Sequence, residues 1–180
     1  GAAKMAIDVG TLGQQKYLRR LGLLDPAELE LPEIGKPLVP SPWRPINTMT
    51  ISYGHGIAVS SVQLANGISS LVNGGIHRPA TLMKVSNGAS SGRRVLSDKT
   101  SLQMRRLMRL VVTNGTGRKA DVPGYLIGGI TGTANKLRGR GYAKSSRIAS
   151  FAGAFPMNDP RYTVLVVIDE PHGTKKTFNS

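Results

Sequence analysis

The sequence has 180 residues, 39% apolar and 5% aromatic, with a formal net charge of +14. That length can bury a core of ordinary depth in one domain, and the longest apolar run, Val164–Ile168, falls far short of the roughly 20 residues a membrane-crossing helix needs. The absence of cysteine excludes disulfides, thiolate metal sites and cysteine nucleophiles without fixing the compartment. No charged-then-apolar leader opens the chain, so no signal peptide or anchor is expected within it. The positive charge points either to an ordinary basic surface or to a polyanionic partner. With few aromatics and no G-F-G-F-V signature, nucleic acid is the weaker of the polyanion choices.

Gly1–Asp8 reads as a helix, and Thr11 with Gln14 predicts a capping box for a second one that Gly22 ends. Residues 25–45 hold six prolines and are expected to form an extended loop. Met49–Gly56 is a short apolar stretch closing on a glycine turn. Ser60 and Gln63 predict a second capping box. The helix behind it carries Leu64, Ile68, Leu71 and Val72 on one face and stops at Asn73-Gly74-Gly75. Thr81–Val85 and Arg93–Leu96 are expected to pair as a hairpin across Asn87-Gly88. A helix from Ser97 to Asn114-Gly115 presents Met104, Leu107, Met108 and Val111 on one face and Arg105, Arg106 and Arg109 on the other. The last third reads as a three-stranded antiparallel meander: Tyr125–Lys136, Ile148–Met157 and Arg161–Glu170. Its last strand, apolar at nearly every position, is expected to be central and covered on both faces. Ala152 and Ala154 fall on one side of the middle strand, Phe151 and Phe155 on the other. The class is α+β, an antiparallel sheet covered by helices.

Phosphate-loop and dinucleotide motifs are missing. His55, His77 and His172 have no metal spacing, and Asp169-Glu170 beside His172 reads as a solvated strand end rather than a metal site. No cofactor is expected. GASSG at 88–92 matches the serine-hydrolase elbow in letters. It is followed by a return strand instead of a helix, so it reads as a loop tip. The stretch GGITGTANK at 128–136 raises the sharper question of why a strand keeps glycine. Alternation puts the hydroxyls of Thr131 and Thr133 on one face with Gly132 bare between them, and Gly128 and Gly129 leave the approach open. Such a strand suits a carboxylate or a forming oxyanion. It equally suits a bend where a helix packs tightly on the sheet.

T-G-T-A on a strand is followed by a basic loop, then A-x-F-A-G-x-x-P at 149–156 and an apolar strand ending in D-x-P at 169–171. Together with Thr48–Ala65, Leu71–Pro79 and Pro123–Lys136, these residues resemble the transpeptidase domain of class B, cell-division-type penicillin-binding proteins over nearly the whole chain. The resemblance implies a β-lactamase-like fold and serine acyl transfer that cross-links peptidoglycan stem peptides. It implies β-lactams as ligands of the full-length protein. It also implies a location on the periplasmic face of the bacterial inner membrane, with the anchor outside this chain. It assigns Thr131 and Thr133 to the carboxylate of substrate or antibiotic, Gly132 to the bare position between them, and the Thr133 N–H to half of the oxyanion hole.

Two departures stand out. None of the ten lysines has a serine three residues before it, and no S-x-N is present, so the nucleophile motif and the middle motif are absent. The lysine of the third motif is replaced by Ile130. Residues 1–180 are therefore expected to be a partial transpeptidase domain that lacks the S-x-x-K and S-x-N region and a closing C-terminal helix. Such a polypeptide is expected to be inactive alone. It should self-associate or depend on the rest of the domain, because Val164, Val166 and Phe151 would face water. The alternatives are a non-catalytic cell-wall scaffold, which Ile130 would suit, and a basic nucleic-acid-binding module.

Overall fold

The computed structural model describes residues 1–85, 91–138 and 141–172, with backbone alone for 137–138 and 141–145. The chain forms two compact units, Gly1–Leu102 and Gln103–Ser180.

In the first unit α1 spans Ala2–Val9 and α2 Thr11–Arg20. They join at Gly10, whose φ of 76° is a left-handed conformation that glycine adopts without a Cβ penalty. Gly10 is therefore the N-cap of α2, and the expected Thr11–Gln14 capping box does not form. Both side chains are used in tertiary contacts instead. Thr11 Oγ1 lies 2.8 Å from Thr48 Oγ1, and Gln14 Nε2 donates to the Thr48 carbonyl at 3.0 Å. Thr48 is buried and also accepts from Trp43 Nε1. It belongs to α3, Pro45–Ile51, a helix that the proline count concealed. Pro45 occupies the first turn, where its missing N–H costs nothing. The rest of the proline-rich loop is irregular, apart from one bridge between Leu38 and Ala58.

α4, Ser61–Val72, starts as expected. The Ser60 hydroxyl accepts from the Gln63 N–H, and Gln63 Oε1 accepts from the Ser60 N–H. Gln63 is buried, and its amide also donates to the carbonyls of Gly22 and Asp25, tying α4 to the end of α2. The small ladder differs from expectation. Ile76–His77 (β1) pairs with Arg93–Arg94 (β2), and Thr81–Val85 forms no strand. Glu30 holds that segment, accepting from Thr81 Oγ1 at 2.5 Å and from the Leu82 N–H at 3.0 Å. These bonds lower the Glu30 pKa, that from Thr81 most. The expected Asn87-Gly88 turn and most of GASSG lie outside the described residues.

The division between the units falls within α5, Asp98–Asn114. The Ser97 hydroxyl caps the helix through the Thr100 N–H. Its buried face is turned from the expected one. Met108 and Val112 are buried, whereas Leu107 is 55% exposed. Arg105 and Arg109 do not form a free basic face. Arg105 donates to the Asn158 carbonyl, and Arg109 to Asp121 and to the Ile127 carbonyl, both through Nη1.

The second unit is the meander, with β3 at Gly128–Arg138, β4 at Gly141–Phe155 and β5 at Tyr162–Asp169 in the order β3-β4-β5. β3 and β4 run further into the basic segment 136–147 than expected, and residues 139–140 between them lie outside the described residues. Among the described residues β4 lies between β3 and β5, and β5 has one ladder neighbour rather than the two expected of a central strand. Val164, Val166, Val167 and Ile168 are each more than 40% exposed. An apolar run shows high β propensity, but it does not reveal how many neighbours a strand has. On β4, Ala152 and Ala154 are buried on one face; Phe151, on the other, is half-buried rather than open to water.

Candidate functional site

Gly128 pairs with Ala154, Gly129 with Gly153, Ile130 with Ala152, Thr131 with Phe151, and Thr133 with Ala149. Alternation therefore divides β3 into two faces. Gly128, Ile130 and Gly132 share the side of Ala152 and Ala154. Gly129, Thr131 and Thr133 share the side of Phe151.

The glycines do not all leave the strand open. A Cβ on Gly128 would lie 2.4 Å from Met157 Cε and 3.0 Å from the backbone nitrogen of Arg109, so α5 crosses directly over it. A Cβ on Gly129 would lie 2.4 Å from Phe151 Cζ and 2.7 Å from the Ala152 carbonyl oxygen. What comes close at these two positions is the protein's own helix and ring, so for them the tight-packing reading holds. Gly132 is partly exposed, and a Cβ there would meet only the Ser150 side chain, at 2.6 Å.

Beyond this packed floor the strand surfaces. Thr131 is half-buried, Thr133 exposed and Ile130 52% exposed. The two threonine side chains are thus not sealed inside. Ile130 lies on the opposite face and adds no charge or donor beside them. Among the described residues β4 is the only strand paired with β3, so the outer edge of β3 has no ladder partner. Sequence reading missed one neighbour, Thr116. Its Oγ1 lies 2.6 Å from Thr131 Oγ1. The flanking glycines of G-T-G at 115–117 were the available signal for a special turn.

Asp169 and Glu170 lie at the solvent-exposed end of β5, as expected, and pair there with a lysine of β3. Lys136 Nζ lies 2.9 Å from Asp169 and 3.2 Å from Glu170, and these bonds, Asp169 first, raise the lysine pKa. In the first unit, a cavity of about 490 Å³ is lined by Arg19, Asp25, Glu28, Gln63, His77 and Arg93 among others. The His77 Nδ1 lies 3.1 Å from Ser70 Oγ, which donates its own proton to the Asn66 carbonyl. Burial, then the Arg93 charge, push the His77 pKa down, with Glu28 acting against them.

The penicillin-binding protein transpeptidase domain model matches residues 1–180, and the chain belongs to that family. It is 41% identical to a probable peptidoglycan D,D-transpeptidase FtsI of Caulobacter vibrioides, over 99% of this chain and 32% of that protein. It is 32% identical to the peptidoglycan D,D-transpeptidase FtsI of Escherichia coli, over 97% of this chain and 30% of that protein. Among solved structures, the transpeptidase domain of Burkholderia pseudomallei penicillin-binding protein 3 superposes with a TM-score of 0.89 at 36% identity, covering 95% of this chain and 53% of that one. Penicillin-binding protein 3 of Mycobacterium tuberculosis, complexed with ampicillin, gives 0.87 at 27% identity, covering 94% and 42%. These neighbours agree with the α+β class and the transpeptidase-like fold. The chain spans about a third of the length of these two curated relatives.

Proposed function

We propose that this chain is part of a serine-type peptidoglycan D,D-transpeptidase and that β3 grips the carboxylate of the stem peptide or of a β-lactam. The observation that carries this reading is the pair of threonines on one face of an edge strand, Thr131 half-buried and Thr133 exposed, with Gly132 between them. Each hydroxyl can donate one hydrogen bond to a carboxylate, and bonds to charged groups contribute about 1.5–3 kcal/mol each. The Thr133 N–H would supply half of the oxyanion hole. The nucleophilic serine and its lysine would come from another part of a longer protein, acting on the periplasmic side of the inner membrane. The remainder of the transpeptidase domain is then the obligate partner of this chain, and the exposed valines of β5 suit either that partner or self-association.

The full-length protein, incubated with a fluorescent penicillin, should form an adduct that survives denaturation. The 180-residue chain alone should form none. Thr131→Val with Thr133→Val should cut labelling at least about tenfold, the equivalent of one charged hydrogen bond. An unlabelled full-length protein would refute the enzymatic reading. It would favour the second one, a non-catalytic cell-wall scaffold, for which the uncharged Ile130 in the lysine position speaks.

A further inference from the structure

We propose that Thr116 is a positioning residue for the carboxylate site, orienting the hydroxyl of Thr131 by donating to it. This rests on the carboxylate reading of β3 given above.

Thr116 Oγ1 and Thr131 Oγ1 are 2.6 Å apart, a short hydroxyl–hydroxyl bond in which either can donate. A threonine hydroxyl has a single proton. If Thr131 donates to Thr116, it has none left for a ligand. If Thr116 donates, the Thr131 lone pair is used and its proton is directed elsewhere. An ionised carboxylate only accepts, so its arrival selects the second arrangement and sets up a relay from Thr116 through Thr131 to the carboxylate. Each bond in such a chain polarises the next.

The placement of Thr116 is built into the fold. The N–H groups of Gly115 and Gly117 both donate to the Val111 carbonyl, at 3.1 and 3.0 Å, closing the end of α5 and curling the chain back. Arg118 Nη2 donates to the Asn114 carbonyl across the same turn. Gly117 is buried, and a Cβ there would lie 3.4 Å from the Phe151 ring. Phe151 is the cross-strand partner of Thr131. The ring therefore joins the turn that carries Thr116 to the strand position that Thr116 contacts.

The test uses the full-length protein and two probes, a carboxylate-bearing β-lactam and its methyl ester, with second-order acylation rates measured for each. Thr116→Val keeps the shape and removes the donor; it should slow the carboxylate probe by about three- to tenfold, as loss of one hydrogen bond does, and leave the ester rate nearly unchanged. Thr116→Ser, which keeps the hydroxyl, should restore the wild-type ratio. Equal slowing of both probes, or an unchanged ratio in Thr116→Val, overturns the inference while leaving the carboxylate site in place. A wild-type protein that does not distinguish the probes overturns the carboxylate site itself, and this inference with it.

Discussion

Gly129→Ala is expected to destabilise the sheet through two identifiable contacts, with the Phe151 ring and the Ala152 carbonyl. The new methyl would stand 2.4 Å from Phe151 Cζ, 2.8 Å from Cε2 and 2.7 Å from the Ala152 carbonyl oxygen. Carbon atoms settle at about 3.5–4.0 Å, so the ring must retreat by about 1 Å. It has little room. The same ring lies 2.6 Å from where a Cβ on Gly153 would be and 3.4 Å from where one on Gly117 would be. The Ala152 carbonyl belongs to the middle strand and cannot swing aside. Overpacking of this kind costs about 1–3 kcal/mol. The smaller unfolded-state entropy of alanine offsets about 0.4–1 kcal/mol of it. A net loss of about 1–2 kcal/mol follows, readable by urea denaturation monitored by circular dichroism. Because the ring is the nearer of the two obstacles, repeating the substitution in a Phe151→Leu background should lower its cost by about 1 kcal/mol, a coupling that a double-mutant cycle isolates. Gly132→Ala meets only a serine side chain that can rotate, and should stay within about 0.5 kcal/mol of wild type. A Gly129→Ala protein as stable as wild type, or one whose loss is the same without the ring, would refute the packed-floor account.

Gln63→Ala removes the side chain that accepts from the Ser60 N–H and donates to the carbonyls of Gly22 and Asp25. With those groups stranded in a buried site, urea denaturation should show a loss of about 2–4 kcal/mol. His77 has a folded pKa below its ordinary value, so the unfolded chain binds the proton more readily and stability falls as pH drops below the usual imidazole range of about 6.5. Of the charged groups lining its cavity, Arg93 opposes protonation and Glu28 favours it, while Arg19 and Asp25 pair with each other at 3.3 Å. The urea midpoint should therefore decline from neutral pH down to about 5, and His77→Gln should flatten that decline; an unchanged slope would rule out His77 as its source. Ile130→Lys places a cation on the far face of β3 at an exposed position. It should leave stability within about 1 kcal/mol. It should speed acylation of the full-length protein by a carboxylate β-lactam about threefold at low salt, a gain lost at high salt. A gain that ignores salt would show that charge is not its cause.

Local chemistry was legible wherever a side chain acts on its own backbone. The Ser60–Gln63 box and the Asn73-Gly74-Gly75 stop are short-range consequences of residue type and appear where the sequence places them, and the antiparallel meander appears with the expected strands, two of them longer than expected. Thr11 and Gln14 have the same spacing as Ser60 and Gln63, yet the first pair holds Thr48, because Gly10 already turns the chain and frees both side chains for distant partners. Long-range competition of that kind leaves no mark within a few residues. β5 shows the same limit: its apolar run suits a strand anywhere, and only the pairing order shows β4 as its one neighbour among the described residues.

At the candidate site the sequence alone determined that Thr131 and Thr133 share a face with a bare residue between them, because strand side chains alternate whatever surrounds them. Tertiary structure decided that Gly128 and Gly129 are filled by α5 and Phe151 rather than left open, and that Thr116 stands against Thr131. Those contacts join residues from 15 to 29 positions apart at the least and most distant of the pairs Thr116–Thr131 and Gly128–Met157. Such proximity is set by how a helix end and a sheet pack, which no single stretch of chain encodes.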